Sequence, residues 1–182
     1  MADENPWKTL SSRVVYDNPW IRVREDQVIR PDGQPGIYGV VHYKNIAVGV
    51  VPVDQEGSIH LVGQYRYALN RYSWEIPEGG CPEGTSPFET AKRELAEETG
   101  FTAQKWELLG EADLSNSVSD ETAVYFLATG LIPGEAEPEG TESLQRKRVS
   151  LEEALEMIED KSITDALSII ALLHYARIKE KP

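Results

Sequence analysis

Glu94, Glu97 and Glu98 stand within five residues of one another, in the run Arg93-Glu94-Leu95-Ala96-Glu97-Glu98-Thr99-Gly100-Phe101. At roughly 100° per residue the three carboxylates share an arc of about 100° on a helix. Glu94 and Glu98 are i,i+4 neighbours, whose repulsion weakens a helix by about 0.2–0.5 kcal/mol. A divalent cation reverses the sign of that cost. Mg²⁺ and Mn²⁺ take hard oxygen ligands and keep waters and phosphate oxygens in their shells. The plainer alternative for an isolated cluster of this kind is a solvated acidic face. Against it stand the Gly- and Pro-rich stretch at 77–87 and an arginine at a fixed offset before the cluster.

The element that must position these groups is a helix opening near Pro87. Ser86 is a candidate N-cap, Pro87 fits the first helical position, and Glu89 sits where a capping-box glutamate belongs. Gly100 closes the helix. Phe88, Ala91 and Leu95 recur at i, i+3 and i+7, so one face packs on a core while the carboxylates lie beside that stripe.

Laid on the chain, the pattern GX5EX7REUXEEXGU of the Nudix box finds Gly79, Arg93, Glu94, Leu95, Glu97, Glu98 and Gly100, with Phe101 in the last aliphatic place. The chain therefore resembles the Nudix hydrolases. One position departs: Thr85 stands where the first glutamate of the box belongs. In the family that glutamate mainly buttresses the loop, so metal binding is expected to survive, and Glu89, i,i+4 from Arg93, is a candidate for the missing ion pair.

The similarity extends to Gln64-Tyr65-Arg66, to Trp74-Glu75-Ile76-Pro77-Glu78-Gly79 and to the loop at 114–121, as in the ADP-ribose and nucleoside-diphosphate-sugar pyrophosphatase branch. This resemblance implies a Nudix α/β/α sandwich with a mixed sheet, preceded by an N-terminal antiparallel β extension. Glu94 and Glu98 would be the main ligands of Mg²⁺ or Mn²⁺, with Glu97 sharing the cluster and the Glu78 carbonyl completing the shell. Arg93 would brace the motif. The base that takes a proton from the attacking water is expected in the late acidic loop, with Glu142 the best match and Glu139 second. Arg66 would grip the diphosphate, and Glu75 would orient Arg66 or a metal-bound water. Tyr16 and Trp20 are candidates to stack on the nucleobase, and Asn116 and Glu121 to face the distal sugar.

Composition agrees with a small anionic substrate carried by metal ions. The 182 residues give a net charge of −13 and a pI near 4.7, against the basic footprint of nucleic-acid binding. The single Cys81 excludes an internal disulfide and reads as a turn residue. The polar start MADENPWKTL has no apolar core of a signal peptide, and no run approaches a membrane span, so a soluble cytoplasmic protein is expected.

Strands are expected at 13–16, 21–29 and 37–43 after a loose leader at 1–12, then at 46–53, 58–65, 105–111, 122–128 and 144–149. The 46–53 and 58–65 strands form a hairpin. Ser150 with Glu153 opens a helix to about 160, and Thr164 caps a last helix over 165–178. His42, His60 and His174 show no ligand spacing and read as structural or surface histidines. Residues 1–43 form a β unit with too little apolar surface to stand alone. With 44–182 as the Nudix domain, the resemblance implies a homodimer joined through the first 43 residues. The expected reaction is metal-dependent hydrolysis of nucleoside diphosphate sugars such as GDP-mannose or ADP-ribose. RNA 5′-pyrophosphohydrolysis and a non-catalytic nucleotide-binding module are the alternatives.

Overall fold

The computed structural model describes residues 4–136 and 144–180. By its internal contacts the chain divides into one unit running to Asn45 and including Asp113–Glu121, and a second made of Ile46–Ala112 and the chain from Thr122 onward.

The first unit is a three-stranded antiparallel sheet of β1 (Lys8–Asp17), β2 (Ile21–Ile29) and β3 (Pro35–Tyr43), in the order β1-β2-β3. β1 begins at Lys8 rather than after a loose leader. Lys8 to Ser12 pair with Asp26 to Ile29, and that ladder satisfies backbone groups that a polar composition alone would leave to water. The segment 114–121 attaches to β3: Val41 N–H donates to Val118 O at 2.8 Å, and Tyr38 Oη donates to Ser117 O at 2.6 Å.

The second unit holds a seven-stranded sheet in the order β10-β5-β4-β9-β8, with β6 on β5 and β7 on β4. Its strands are β4 (Asn45–Val53), β5 (Ile59–Arg66), β6 (Arg71–Glu75), β7 (Glu78–Pro82), β8 (Phe101–Asp113), β9 (Thr122–Pro133) and β10 (Gln145–Val149). β4 and β9 run parallel while β5 is antiparallel to β4, β6 and β10, so the sheet is mixed. The apolar run of β4 decides the layering. Val48 and Val50 pack with Ala91 and Leu95 of α1 (Pro87–Thr99) and with Phe126 and Ala128 of β9. Gly49, between them, faces the other way: a Cβ there would lie 3.1 Å from the Leu167 side chain of α3 (Ala166–Lys179). Side chains alternate across a strand, so α1 covers one face and α3 the other, with α2 (Leu151–Glu159) against α3. This is the α/β/α arrangement with a mixed sheet that the resemblance to the Nudix hydrolases implied. Among the described residues no helix is long and apolar enough to cross a membrane.

Several local expectations are corrected. The stretch at 77–87 is not all turn: Glu78–Pro82 is a strand on β4, and Cys81, 1% exposed, belongs to the core beneath α1. β6 was not anticipated: its sequence RYSWE alternates over only five residues, and the pattern is inverted, with polar Ser73 and Glu75 on the buried face and Tyr72 exposed. Asp165, not Thr164, caps α3, its carboxylate accepting from Ser168 N at 2.6 Å; Thr164 Oγ1 instead accepts from Arg71 at 2.8 Å. Ser150 caps α2 through Glu153 N as expected.

The turn between β4 and β5 is held by Asp54, which accepts from Glu56 N, Ser58 N, Arg148 Nε and His60 Nε2 at 2.9, 3.0, 2.6 and 3.3 Å. Burial pushes its carboxyl up, but Arg148 and the other donors outweigh burial and hold it at about 2. A depressed carboxyl contributes stability above its unfolded value near 3.8 and loses it as pH falls towards 2. Asp54→Asn should therefore lower the melting temperature at neutral pH by about 3–6 °C, for a loss of about 1–2 kcal/mol. The deficit should shrink between pH 4 and pH 2, as thermal melts across that range would show; a deficit constant down to pH 2 would refute the assignment.

Candidate functional site

The geometry starts where β6 hands over to β7. Ile76 N donates to the buried Ser168 Oγ at 3.0 Å and Val50 N to Pro77 O at 2.9 Å, so the start of α3 and the centre of β4 clamp the connection from both sides. Its two glutamates are fixed as a result. Glu75, 2% exposed, and Glu78 both face Arg66 at the end of β5. Arg66 Nε donates to both Glu75 oxygens at 3.0 Å, and its Nη2 reaches Glu75 Oε2 at 2.5 Å and Glu78 Oε1 at 2.7 Å. Burial works to lower the pKa of Arg66, but the paired carboxylates raise it overall, so it stays charged. One edge of the guanidinium is engaged by carboxylates.

The second cluster is on α1. Gly100, at φ 78°, closes that helix as the sequence implied, while Ser86 occupies the N-cap without a side-chain cap bond. Arg93 Nη2 donates to Glu94 at 2.6 Å and Nη1 to Glu97 at 2.7 Å. Nη2 also approaches Gly80 O at 3.4 Å, tying α1 to β7. Burial acts to lower the Arg93 pKa, and Glu94 and Glu97 raise it overall. Glu89 does not supply Arg93 with a partner. It pairs with Lys92 at 2.8 Å, one turn out towards solvent, because Arg93 lies over β7. Thr85, in the place of the first box glutamate, donates its hydroxyl to Pro82 O at 2.6 Å and holds the turn locally.

The two clusters meet at Glu78. Its backbone N–H donates to Glu98 Oε2 at 3.0 Å, so Glu98, 1% exposed, is held against the same segment whose side chain touches Arg66. Glu94 lies so close to Gly79 that a Cβ at that position would overlap its carboxylate. Burial, then the charges of Asp165 and Glu75, push the Glu78 carboxyl well above its ordinary value despite Arg66.

A divalent cation fits the donor types here: Glu94, Glu97 and Glu98 offer hard oxygens, and Gly79 leaves a cradle that only a residue without Cβ provides. Among the described residues no three metal-ligating side chains already converge on one point. Arg93 neutralises Glu94 and Glu97 in that arrangement.

Beside Arg66 lies a cavity of about 360 Å³, with Ser73, Glu75, Glu78 and Asp165 among its walls. Ser73 and Asp165 were not singled out from the sequence. Nothing in the pattern marks Ser73. Asp165 is announced only by its position at the head of an apolar helix.

The remaining candidates belong to the first unit. Asn18 gathers two of them: its side chain accepts from Trp20 N at 2.9 Å and donates to Tyr16 Oη at 3.3 Å. Both aromatics are exposed, Tyr16 by 54% and Trp20 by 67%. Asn116 is exposed and Glu121 half-buried in the segment on β3, which is fixed by His42 Nδ1 on Asp120 Oδ2 at 2.6 Å and Tyr43 N on Asp120 Oδ1 at 3.0 Å. Glu139 and Glu142 lie outside the described residues.

Residues 7–41 match the family model of the nucleoside diphosphate sugar hydrolase N-terminal domain, and residues 43–168 match that of the NUDIX domain. The chain is 33% identical over 175 residues to an ADP-ribose pyrophosphatase of Bacillus subtilis (strain 168), covering 95% of this chain and 94% of that one. It is 38% identical over 129 residues to an ADP-ribose pyrophosphatase of Mycobacterium tuberculosis (strain ATCC 25618 / H37Rv), covering 70% of this chain and 62% of that relative. A crystal structure of an ADP compounds hydrolase superposes with a TM-score of 0.84 at 23% identity, over 94% of this chain and 92% of that one, and shares the fold. With a buttressed REXXEE helix and a NUDIX match over more than half its length, this chain belongs to the Nudix hydrolase family.

Proposed function

We propose that the protein hydrolyses the diphosphate bond of nucleoside diphosphate sugars, ADP-ribose and GDP-mannose among them, to a nucleoside monophosphate and a sugar phosphate. The observation that carries this reading is the continuous linkage Arg66–Glu78–Glu98. A phosphate-binding guanidinium stands two hydrogen bonds from the carboxylates of the Nudix helix. The names of the relatives and the match of residues 7–41 support the substrate class.

Bound Mg²⁺ or Mn²⁺ would supply charge neutralisation at the diphosphate and a lowered pKa for the attacking water. Glu94 and Glu98 would hold it, with Glu97 and the Glu78 carbonyl, and Glu94 would exchange Arg93 for the ion. Arg66 meets the diphosphate through its Nη1 edge while Glu75 keeps the guanidinium plane fixed, the preorganisation that a bidentate donor needs. Glu142 takes the proton of the attacking water, with Glu139 the alternative. Tyr16 and Trp20 stack on the base, and Asn116 and Glu121 contact the sugar end. Two copies join through residues 1–43, whose strand β1 is exposed along its length with Leu10, Val14 and Val15 at least half exposed. Residues 44–182 carry the chemistry, and the protein works in the cytoplasm.

Product release should be measured from ADP-ribose, GDP-mannose, UDP-glucose, a dinucleoside polyphosphate and triphosphorylated RNA, with Mg²⁺ or Mn²⁺. Cleavage of the sugar nucleotides, abolished by chelator and restored by added metal, is expected. Turnover of the RNA alone would replace this reading, and tight nucleotide binding without turnover would mark a binding module.

Glu98→Gln keeps an acceptor for Glu78 N, so the fold should persist while turnover falls by about 10²-fold or more; near-normal turnover would remove Glu98 from the metal site. Gly79→Ala should displace the Glu94 carboxylate and weaken metal affinity about tenfold or more, read by titration of Mn²⁺ with electron paramagnetic resonance. Native mass spectrometry should show a dimer, and deletion of residues 1–43 should abolish it. A full-length monomer mass would refute the proposed assembly.

A further inference from the structure

The cavity beside Arg66 has walls that the reaction does not use. Ser73 sits on its floor at 2% exposure, and its hydroxyl has no hydrogen-bond partner among the described residues. Glu78 Oε2 is in the same condition, while Oε1 of the same carboxyl is taken by Arg66. A buried polar atom left unpaired has given up its water partners without replacing them, which is unfavourable. Two such atoms at one cavity therefore point to a ligand that completes them.

The charge of the walls selects its chemistry. One guanidinium, Arg66, faces three carboxyls, Glu75, Glu78 and Asp165. A further phosphate is repelled there. A hydroxyl-rich group is suited, because a hydroxyl can donate to a carboxylate and accept from the Ser73 hydroxyl. About 360 Å³ is room for a hexose with its water, at the lower end of ligand-pocket sizes.

Location supplies the rest. Arg66 and Glu78 are shared between this cavity and the proposed diphosphate site, so a substrate gripped there puts one of its flanking groups into the cavity. Tyr67 at the rim is 95% exposed and offers a ring face of the kind sugars stack on.

We propose that this cavity seats the glycosyl group of the substrate, and that Ser73 is a specificity-determining residue that reads a sugar hydroxyl. The proposal rests on the reading of the protein as a nucleoside diphosphate sugar hydrolase.

The test compares two compounds with the same base and diphosphate, one a nucleoside diphosphate hexose and the other its nucleoside diphosphate methyl ester. Both are followed with wild type, Ser73→Ala and Ala68→Trp. Ala68 is an exposed residue of the cavity mouth, so its substitution narrows the cavity without touching the core. Wild type should cleave the hexose compound with kcat/KM about tenfold or more above the methyl ester. Ser73→Ala should lower kcat/KM for the hexose by about 3- to 10-fold, the equivalent of one neutral hydrogen bond, chiefly through KM. It should leave the methyl ester unchanged, and Ala68→Trp should do the same more strongly.

Equal losses on both compounds would overturn the proposal, since the cavity would then take the base or serve only the fold. No loss on either would also overturn it, with the hydrolase reading intact. Failure of the wild type to cleave either compound would overturn both.

Discussion

Burying carboxylates next to one another is the constraint on which the site depends. Glu75, Glu94 and Glu98 are at most 7% exposed, within a few residues of Glu78 and Glu97. Each charge taken out of water costs several kcal/mol unless something compensates it. Two arginines and a peptide N–H take part in that compensation. Arg66 serves Glu75 and Glu78, Arg93 serves Glu94 and Glu97, and Glu78 N serves Glu98. The rest of the second unit can be understood as what keeps those donors in place.

That framework is apolar. α1 presents Ala91 and Leu95 to Val48 and Val50, which sets its carboxylate arc over β7. α3 reaches the opposite face of β4 at Gly49 and anchors Ile76 N through Ser168. Gly79 is the point of closest approach, where the strand backbone must come against Glu94. The result is a pair of glutamates, Glu75 and Glu78, held together on the Nε and Nη2 edge of Arg66. Rigidity of this kind favours a guanidinium that offers a single edge to a ligand.

The first unit is organised on another principle. Its loop at 114–121 arrives from between β8 and β9 and is stitched to β3 by backbone bonds and by Asp120. Asn116 and Glu121 therefore share a unit with Tyr16 and Trp20, although about 100 residues separate them in sequence. A polar loop becomes ordered here because a sheet edge offers it partners, a relation without a signature in local sequence.

The sequence by itself determined the elements whose signals are local. The helix from Pro87 to Gly100 follows from its apolar period and its closing glycine, and β2 from a strand-like run, with bounds matching the observed Ile21–Ile29. The layering of helices on both faces of the sheet came with the family resemblance. The spaced glutamates, with Arg93 and Gly79, marked the family. What only the tertiary structure decided depends on partners distant in the chain. Arg93 takes Glu94 and Glu97 in place of Glu89 because β7 lies beneath it. The strand at Lys8 forms because β2 offers a ladder, and Glu78 touches both Arg66 and Glu98 because β4 and α3 fix its connection. The unsatisfied hydroxyl of Ser73 belongs to the same class: pairing depends on what surrounds a group, and local sequence does not record those surroundings.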